Sequence, residues 1–337
     1  MGIKVALDAF GSDRAPHIEI EGAVRVCEEN DDIEIFLVGN KKILQDALEA
    51  HKKCRGKKIY VVDAPQRVTM HDKPSAAIRK KPQSSIAVGL QLVADGQAEA
   101  FVSAGNTGAI MAYSLKILGR LEGVQRPGIA ALVPTLEGGF TIVIDVGANI
   151  QTKPEHLLQY AFMAKTFMEI ILGVRDPRIA LLSIGEEESK GNQLIKEARG
   201  LLEKNPSLNF IGHVEGNHVL EGVADVILTD GFTGNVVLKF GEGAINVFIK
   251  LIKEEVKKNI LATIAGIFLK PVFKKLKQRL NYEEYGGAPL LGVDGVVIIG
   301  HGRSTPVAIK NAVLTAVRYV EREVNEHIRE ELKLAHG

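Results

Sequence analysis

AFVSAGNTGAI, residues 100–110, is the stretch that decides the fold. A short apolar run ends in Ser103. A glycine-rich turn, Gly105-Asn106-Thr107-Gly108, follows, and Ala109 opens a helical pattern. A brief, continuously apolar strand that passes through a small-residue turn into a helix marks a parallel sheet covered by helices on both faces. The pattern recurs outward in both directions. Strands are expected at Ile3–Leu7, Ile33–Val38, Ile59–Val62, Gly128–Val133, Thr141–Asp145, Ile179–Ser183, Phe210–His213, Val226–Leu228 and Gly295–Ile299. Helices are expected at Glu19–Glu29, Lys42–Ala50, Ser84–Ala94, Glu155–Leu172, Gly191–Lys204 and Ala308–Leu334. The alternation predicts a three-layer α/β/α, Rossmann-like sandwich with a mostly parallel sheet. The 337 residues, 46% of them apolar, show no linker or change of composition, so one domain over 1–337 is expected.

Charge and composition narrow the function. The 42 basic and 41 acidic side chains nearly cancel, which argues against a nucleic-acid footprint. Cys27 and Cys54 stand alone, without metal-ligand or redox spacing. The opening MGIKVALDAFG lacks the features of a secretory signal, and no apolar run reaches the ~18 residues of a membrane span. One segment differs. From about 241 to 280 the chain reads as a protruding helical hairpin with an uncharged tip, ILATIAGIFL (260–269). Nine basic residues against two acidic ones between Lys250 and Arg279 make it strongly positive.

Ligands in open α/β sheets bind beyond the carboxyl ends of the strands. Four such ends carry polar residues: Asp8-Ala9-Phe10-Gly11-Ser12-Asp13; Ser103 through Gly108; Asp145-Val146-Gly147-Ala148-Asn149; and Thr229-Asp230-Gly231-Phe232-Thr233-Gly234-Asn235. The second and fourth echo each other at a constant offset of 126 residues, from Gly96/Gly222 to Gly105/Gly231 and Thr107/Thr233. Small residues before a helix let backbone N–H groups approach an anion. The phosphate-binding candidates are therefore Asp8, Gly11, Asp13, Ser103, Gly105, Thr107, Gly108, Asp145, Gly231, Thr233 and Gly234, with Arg79 and Lys81 as a positive wall. Each end also fits a plain turn: Asp13 could cap a helix, and the 71–85 loop could be solvated surface. The dinucleotide and P-loop glycine spacings, the zinc-protease motif and the nucleophile elbow are missing, so no cofactor or metal is expected. Asn106, Asn149 and Asn235 could steady an oxyanion, with Lys190 and His301 as further catalytic candidates.

ALDAFGSD (6–13), HDKPSAAIRKKPQSSI (71–86), AFVSAGNTGA (100–109), DVGAN (145–149), KPEHLLQYA (153–161), SIGEEESKGN (183–192), NFIGHVEG (209–216), ADVILTDGFTGNVVLK (224–239) and YGGAPLLGVDGVVIIGHG (285–302) run in order over the whole chain. Together they resemble the bacterial phosphate acyltransferases of phospholipid synthesis, the PlsX family. Phe10 and Ser12 depart from it, standing where the family usually has methionine and a second glycine. The resemblance implies a fold like phosphotransacetylases and the isocitrate/isopropylmalate dehydrogenases. It implies transfer of a long-chain acyl group from acyl carrier protein to inorganic phosphate, without a cofactor, by a homodimeric cytoplasmic protein that associates peripherally with the membrane. The acyl phosphate would pass to a membrane glycerol-3-phosphate acyltransferase. In that setting Lys250, Lys253, Lys257, Lys258, Ile267, Phe268, Lys274 and Lys275 are candidates for carrier-protein or membrane contact.

Overall fold

A computed structural model describes residues 2–54, 56–258, 268, 271–272 and 286–336. The strands are β1 (Ile3–Asp8), β2 (Ile33–Gly39), β3 (Ile59–Asp63), β4 (Ala100–Ser103), β5 (Gly128–Pro134), β6 (Phe140–Ile144), β7 (Ile179–Ser183), β8 (Phe210–Glu215), β9 (Val226–Leu228), β10 (Ala288–Leu291) and β11 (Val296–Ile299). The helices are α1 (His17–Glu29), α2 (Lys41–Ala50), α3 (Pro74–Lys80), α4 (Ser85–Ala94), α5 (Thr107–Ile117), α6 (Pro154–Phe167), α7 (Gln193–Glu203), α8 (Gly231–Lys258), α9 (Pro306–Glu321) and α10 (Val324–His336).

All eleven strands join one sheet in the order β3-β2-β1-β4-β11-β10-β5-β6-β9-β7-β8. The pairings from β3 to β11 are parallel, as are those from β6 to β8. The middle is antiparallel: β11–β10, β10–β5 and β5–β6. The sheet is thus two parallel halves of opposite direction, stitched by an antiparallel seam. Each face carries its own apolar cluster. Helices α1, α2, α6, α7, α9 and α10 cover one, and α3, α4, α5 and α8 cover the other.

Three departures from the sequence reading have local causes. Strand β10 escapes notice because Pro289 and its flanking glycines read as a turn; antiparallel pairing across the seam makes it a strand. The expected helix 308–334 breaks at Arg322–Glu323, where Glu323 takes φ 48°. The long basic helix starts at Gly231 rather than near 241. Apart from residues 268 and 271–272, the rest of the expected hairpin, including Ile267, Lys274 and Lys275, lies outside the described residues.

Two buried carboxylates organise the strand ends. After β6, Asp145 is fully buried. It accepts hydrogen bonds from the backbone N–H of Ile129, Gly147, Ala148 and Asn149 at 2.7–3.1 Å, and from the Asn149 amide at 3.1 Å. Burial pushes its carboxyl pKa up against the pull of these donors. After β1, Glu19 of α1 reaches back and accepts from the Ser12 N–H at 2.8 Å, while its other oxygen is buried without a partner. Desolvation pushes the Glu19 pKa up to about 7.

Two outcomes are expected. Removing the Asp145 carboxylate (Asp145→Ala) strands several buried N–H donors and should cost about 3–5 kcal/mol in urea unfolding. For Glu19 the folded value lies above the ordinary 4.5, so the folded state binds the extra proton and stability falls as pH rises from about 4.5 to about 7. Glu19→Gln should erase about 3 kcal/mol of that fall, measured as the wild-type-minus-variant difference between pH 4.5 and pH 8; equal slopes would refute the assignment.

Candidate active site

A cavity of about 350 Å³ opens where the seam meets helices α5 and α8. Its polar lining comes from four places in the chain: Thr107 and Gly108 at the start of α5, Gly147 after β6, Asn235, Lys239 and Glu242 on α8, and His301 and Ser304 after β11. Ile129, Ala131, Leu132, Val146, Leu238 and Ile299 form its apolar wall. A larger cleft of about 1230 Å³ lies elsewhere, between the start of β1, the start of β2 and helix α9. None of the strand-end residues singled out from the sequence lines that cleft, so the smaller cavity is the functional candidate.

Helix geometry delivers three of these side chains together. Asn235, Leu238, Lys239 and Glu242 follow the i, i+3, i+4, i+7 spacing that puts residues on one helical face. Lys239 and Glu242 lay within reach of sequence reasoning, because Asn235 was already a candidate and they sit one and two turns beyond it. Gly147 is the missed residue of the 145–149 turn; its Cα faces the Asn235 side chain.

The two echoed glycine turns do different work. At α5, the Asn106 side chain caps the helix by accepting from the Ala109 N–H at 3.0 Å. Its amide donates toward the Thr69, Met70 and Asp72 carbonyls, which ties the 69–72 loop to this turn. That leaves Thr107 and Gly108, in the first turn of α5, facing the cavity. At α8 the corresponding positions are closed. The Asp230 carboxylate accepts from the N–H groups of Phe232 and Thr233 and from the Thr233 hydroxyl. Gly231 and Gly234 are glycines because the 145–149 turn presses on them: a Cβ at Gly234 would meet the Asp145 carbonyl, and one at Gly231 would meet the Asn149 carbonyl. Both are packed closely against that turn and line no part of the cavity, and Thr233 is held in the cap.

Other sequence candidates also fall outside the cavity, for stated reasons. Asp8 and Ser103 are buried and bonded to each other at 2.6 Å, beneath the turn. Gly11 is pressed against the backbone of Ala104 and Gly105, and the Gly105 N–H donates to Ser103. Asp145 holds its turn, and Asn149 donates to Pro127, Asp145 and Tyr160, so its amide is committed to the scaffold. Asp13 and Arg79 are exposed and line no part of the cavity. Lys81 pairs with Asp72 at 2.6 Å and donates to the Arg67 carbonyl; this partner helps hold the Asp72 pKa down to about 2. Lys190 is exposed in the loop after β7, away from the cavity lining. Of the candidates, the structure brings together Thr107, Gly108, Asn235 and His301.

His301 and Lys239 define what the cavity can hold. The Arg303 N–H donates to His301 Nδ1 at 3.1 Å, so a neutral ring carries its proton on Nε2. Burial first, then the Lys239 ammonium, push the His301 pKa below the ordinary histidine value, which keeps the ring neutral at pH 7. Nε2–H therefore faces the Lys239 ammonium at 3.3 Å. Two donors this close can share an acceptor that sits to one side of both. Beside the first turn of α5, which presents the positive end of its dipole, this is a receptor for an oxyanion.

The sequence matches the family described as "Fatty acid synthesis protein" over residues 3–327. The chain belongs to that family. Among relatives named phosphate acyltransferase, the one from Dictyoglomus thermophilum is 46% identical over 330 residues, covering 98% of each chain. The one from Halothermothrix orenii is 45% identical over 331 residues, again covering 98% of each. Among solved structures, a phosphotransacetylase from Streptococcus pyogenes superposes with a TM-score of 0.62 at 18% identity, covering 95% of this chain and 94% of that one. A branched-chain phosphotransacylase from Enterococcus faecalis gives 0.57 at 16% identity, covering 94% and 99%. At such identities the likeness fixes the fold: the layered α/β arrangement is that of the phosphotransacetylases.

Calorimetric titration with inorganic phosphate tests the receptor. Lys239→Met should weaken binding about tenfold, roughly 1.4 kcal/mol, and the loss should shrink as salt is raised. Equal affinities for the two proteins would show that the anion binds elsewhere.

Proposed function

We propose that the protein transfers a long-chain acyl group from acyl carrier protein to inorganic phosphate, and that the cavity at the seam is where it happens. The observation that carries this reading is the facing pair of donors, His301 Nε2–H and the Lys239 ammonium, beside the open first turn of α5. The phosphate acyltransferase relatives point to the same chemistry.

Phosphate is nucleophilic as it stands and needs placement more than activation. Lys239, His301, Thr107 and the α5 terminus hold it. One phosphate oxygen attacks the thioester carbonyl carbon, and the oxyanion that forms is met by the Asn235 amide, which makes no other side-chain hydrogen bond among the described residues. The carbon–sulfur bond then breaks. Acyl thioester and hydrogen phosphate become acyl phosphate and thiol, and the proton that phosphate brought leaves on sulfur. No acyl-enzyme is needed. Asn106 and Asn149 serve by fixing the turns around the cavity.

The partners belong to the same reading. Helix α8 turns Phe232, Val236, Phe240, Val247, Phe248 and Leu251 to solvent, an apolar stripe that suits a second copy of the chain. Beyond it, Lys253 offers positive charge to an acidic carrier protein or a membrane surface, and so does Lys250, which is only loosely paired with Glu254 at 4.0 Å, whereas Lys258 is paired with Glu255 at 2.6 Å. The described part of the uncharged tip includes an exposed Phe268. No helix among the described residues is long and apolar enough to cross a membrane. In this reading, contact with the membrane and with the glycerol-3-phosphate acyltransferase that consumes acyl phosphate is peripheral.

Palmitoyl-carrier protein and phosphate should yield acyl phosphate, detected by mass. Asn235→Ala should lower kcat by about 10²–10³ with the fold intact by circular dichroism. Absence of product from the folded wild type, or turnover of acetyl-CoA without carrier protein, would refute the reading.

A further inference from the structure

Glu242 is out of place in a cavity that otherwise presents donors. It is the one carboxylate among the described residues that line it, next to Lys239, His301, Thr107 and Asn235. Its side chain is only 15% exposed. One oxygen, Oε2, accepts from the Lys239 ammonium at a long 3.3 Å. The other, Oε1, is enclosed and has no hydrogen-bond partner. An ionised carboxylate accepts up to about four hydrogen bonds, so most of this capacity is idle. Leaving a buried acceptor unsatisfied costs about 1–3 kcal/mol, more when it is charged. The terminal torsion of glutamate is broad and two-fold, so either oxygen can turn to meet a donor that enters the cavity.

Resting on the phosphate reading above, we propose that Glu242 selects hydrogen phosphate by accepting the hydrogen bond of its P–OH group. Near neutral pH a phosphate carries one such proton, whereas sulfate carries none. A proton-bearing anion satisfies both kinds of group: its bare oxygens take the donors, and its hydroxyl takes the carboxylate. Sulfate, of the same size and shape, satisfies the donors but sets an oxygen against the carboxylate with no proton between them. The discrimination follows from a missing proton rather than from fit, and a site built on a required hydrogen bond rejects an analogue lacking that group far more strongly than one built on size. Glu242 acts here as a specificity-determining and positioning group; the reacting atoms are phosphate oxygen, carbonyl carbon and sulfur.

The experiment measures acyl phosphate formation from palmitoyl-carrier protein at varied phosphate, with and without sulfate, for the wild type, Glu242→Gln and Glu242→Asp. In the wild type, sulfate should inhibit only at concentrations at least tenfold above the KM for phosphate. In Glu242→Gln the KM for phosphate should rise about tenfold while kcat changes less, and sulfate should become a competitive inhibitor in the range of that KM. Glu242→Asp, which keeps the charge, should restore sulfate exclusion. Sulfate inhibition of the wild type as strong as that of Glu242→Gln, or an unchanged phosphate KM in that variant, would overturn the proposal. If Glu242→Gln does not fold, sulfate competition in the wild type and in Glu242→Asp still decides. Absence of acyl phosphate from the wild type would instead defeat the parent reading of the reaction, and the two failures are distinct.

Discussion

The Asp145 carboxylate is the interaction on which the site depends. It sits where the antiparallel seam passes into a parallel half, and it gathers four backbone N–H groups and one side-chain amide. Through Ile129 it fixes the start of β5. Through Gly147 to Asn149 it shapes the turn that forms one wall of the cavity. The same turn lies against Gly231 and Gly234, so it also sets how α8 enters the protein. Asn235, Lys239 and Glu242 are aimed by that entry. A carboxylate outside the cavity therefore determines where groups that line it will stand.

The cavity is polar by design of its neighbours rather than by accumulation of charge. Among the described residues it holds one cation, one carboxylate and a histidine that burial and the cation beside it bias toward the neutral form. A protonated His301 would add a second positive charge next to Lys239, and its desolvation opposes that. The result is a receptor in which direction matters more than net charge.

Much of this was legible in the sequence, and the parts that were not share a cause. The strand ends were found because buried parallel strands read as continuous apolar runs. His301 and Asn235 were found because they follow such ends. Strand β10 was hidden because Pro289 obeys local turn chemistry and only the seam overrides it. The two glycine turns repeat in sequence, yet their surroundings differ: Thr107 and Gly108 line the cavity, whereas Gly231 and Gly234 are packed against the 145–149 turn. A glycine that faces a cavity and a glycine that admits a neighbouring loop have the same letter, and Asp230, capping one turn from within, helps to separate them. Asn149 likewise looks like an oxyanion donor until Pro127 and Tyr160 are seen to take its amide.

Helix α8 has two unrelated surfaces on one rod. Asn235, Lys239 and Glu242 lie on one side, while Val236, Phe240, Val247 and Leu251 lie on a face roughly 120° away at 100° per residue. Gaining or losing a single residue between Glu242 and Val247 would leave the first side untouched and swing the far part of the stripe by about a quarter turn. Over evolutionary time this stretch is therefore free to change its letters but not its length. Insertions and deletions should collect in the connecting loops, and the segment from Asn235 to Leu251 should keep a constant residue count wherever both surfaces are in use.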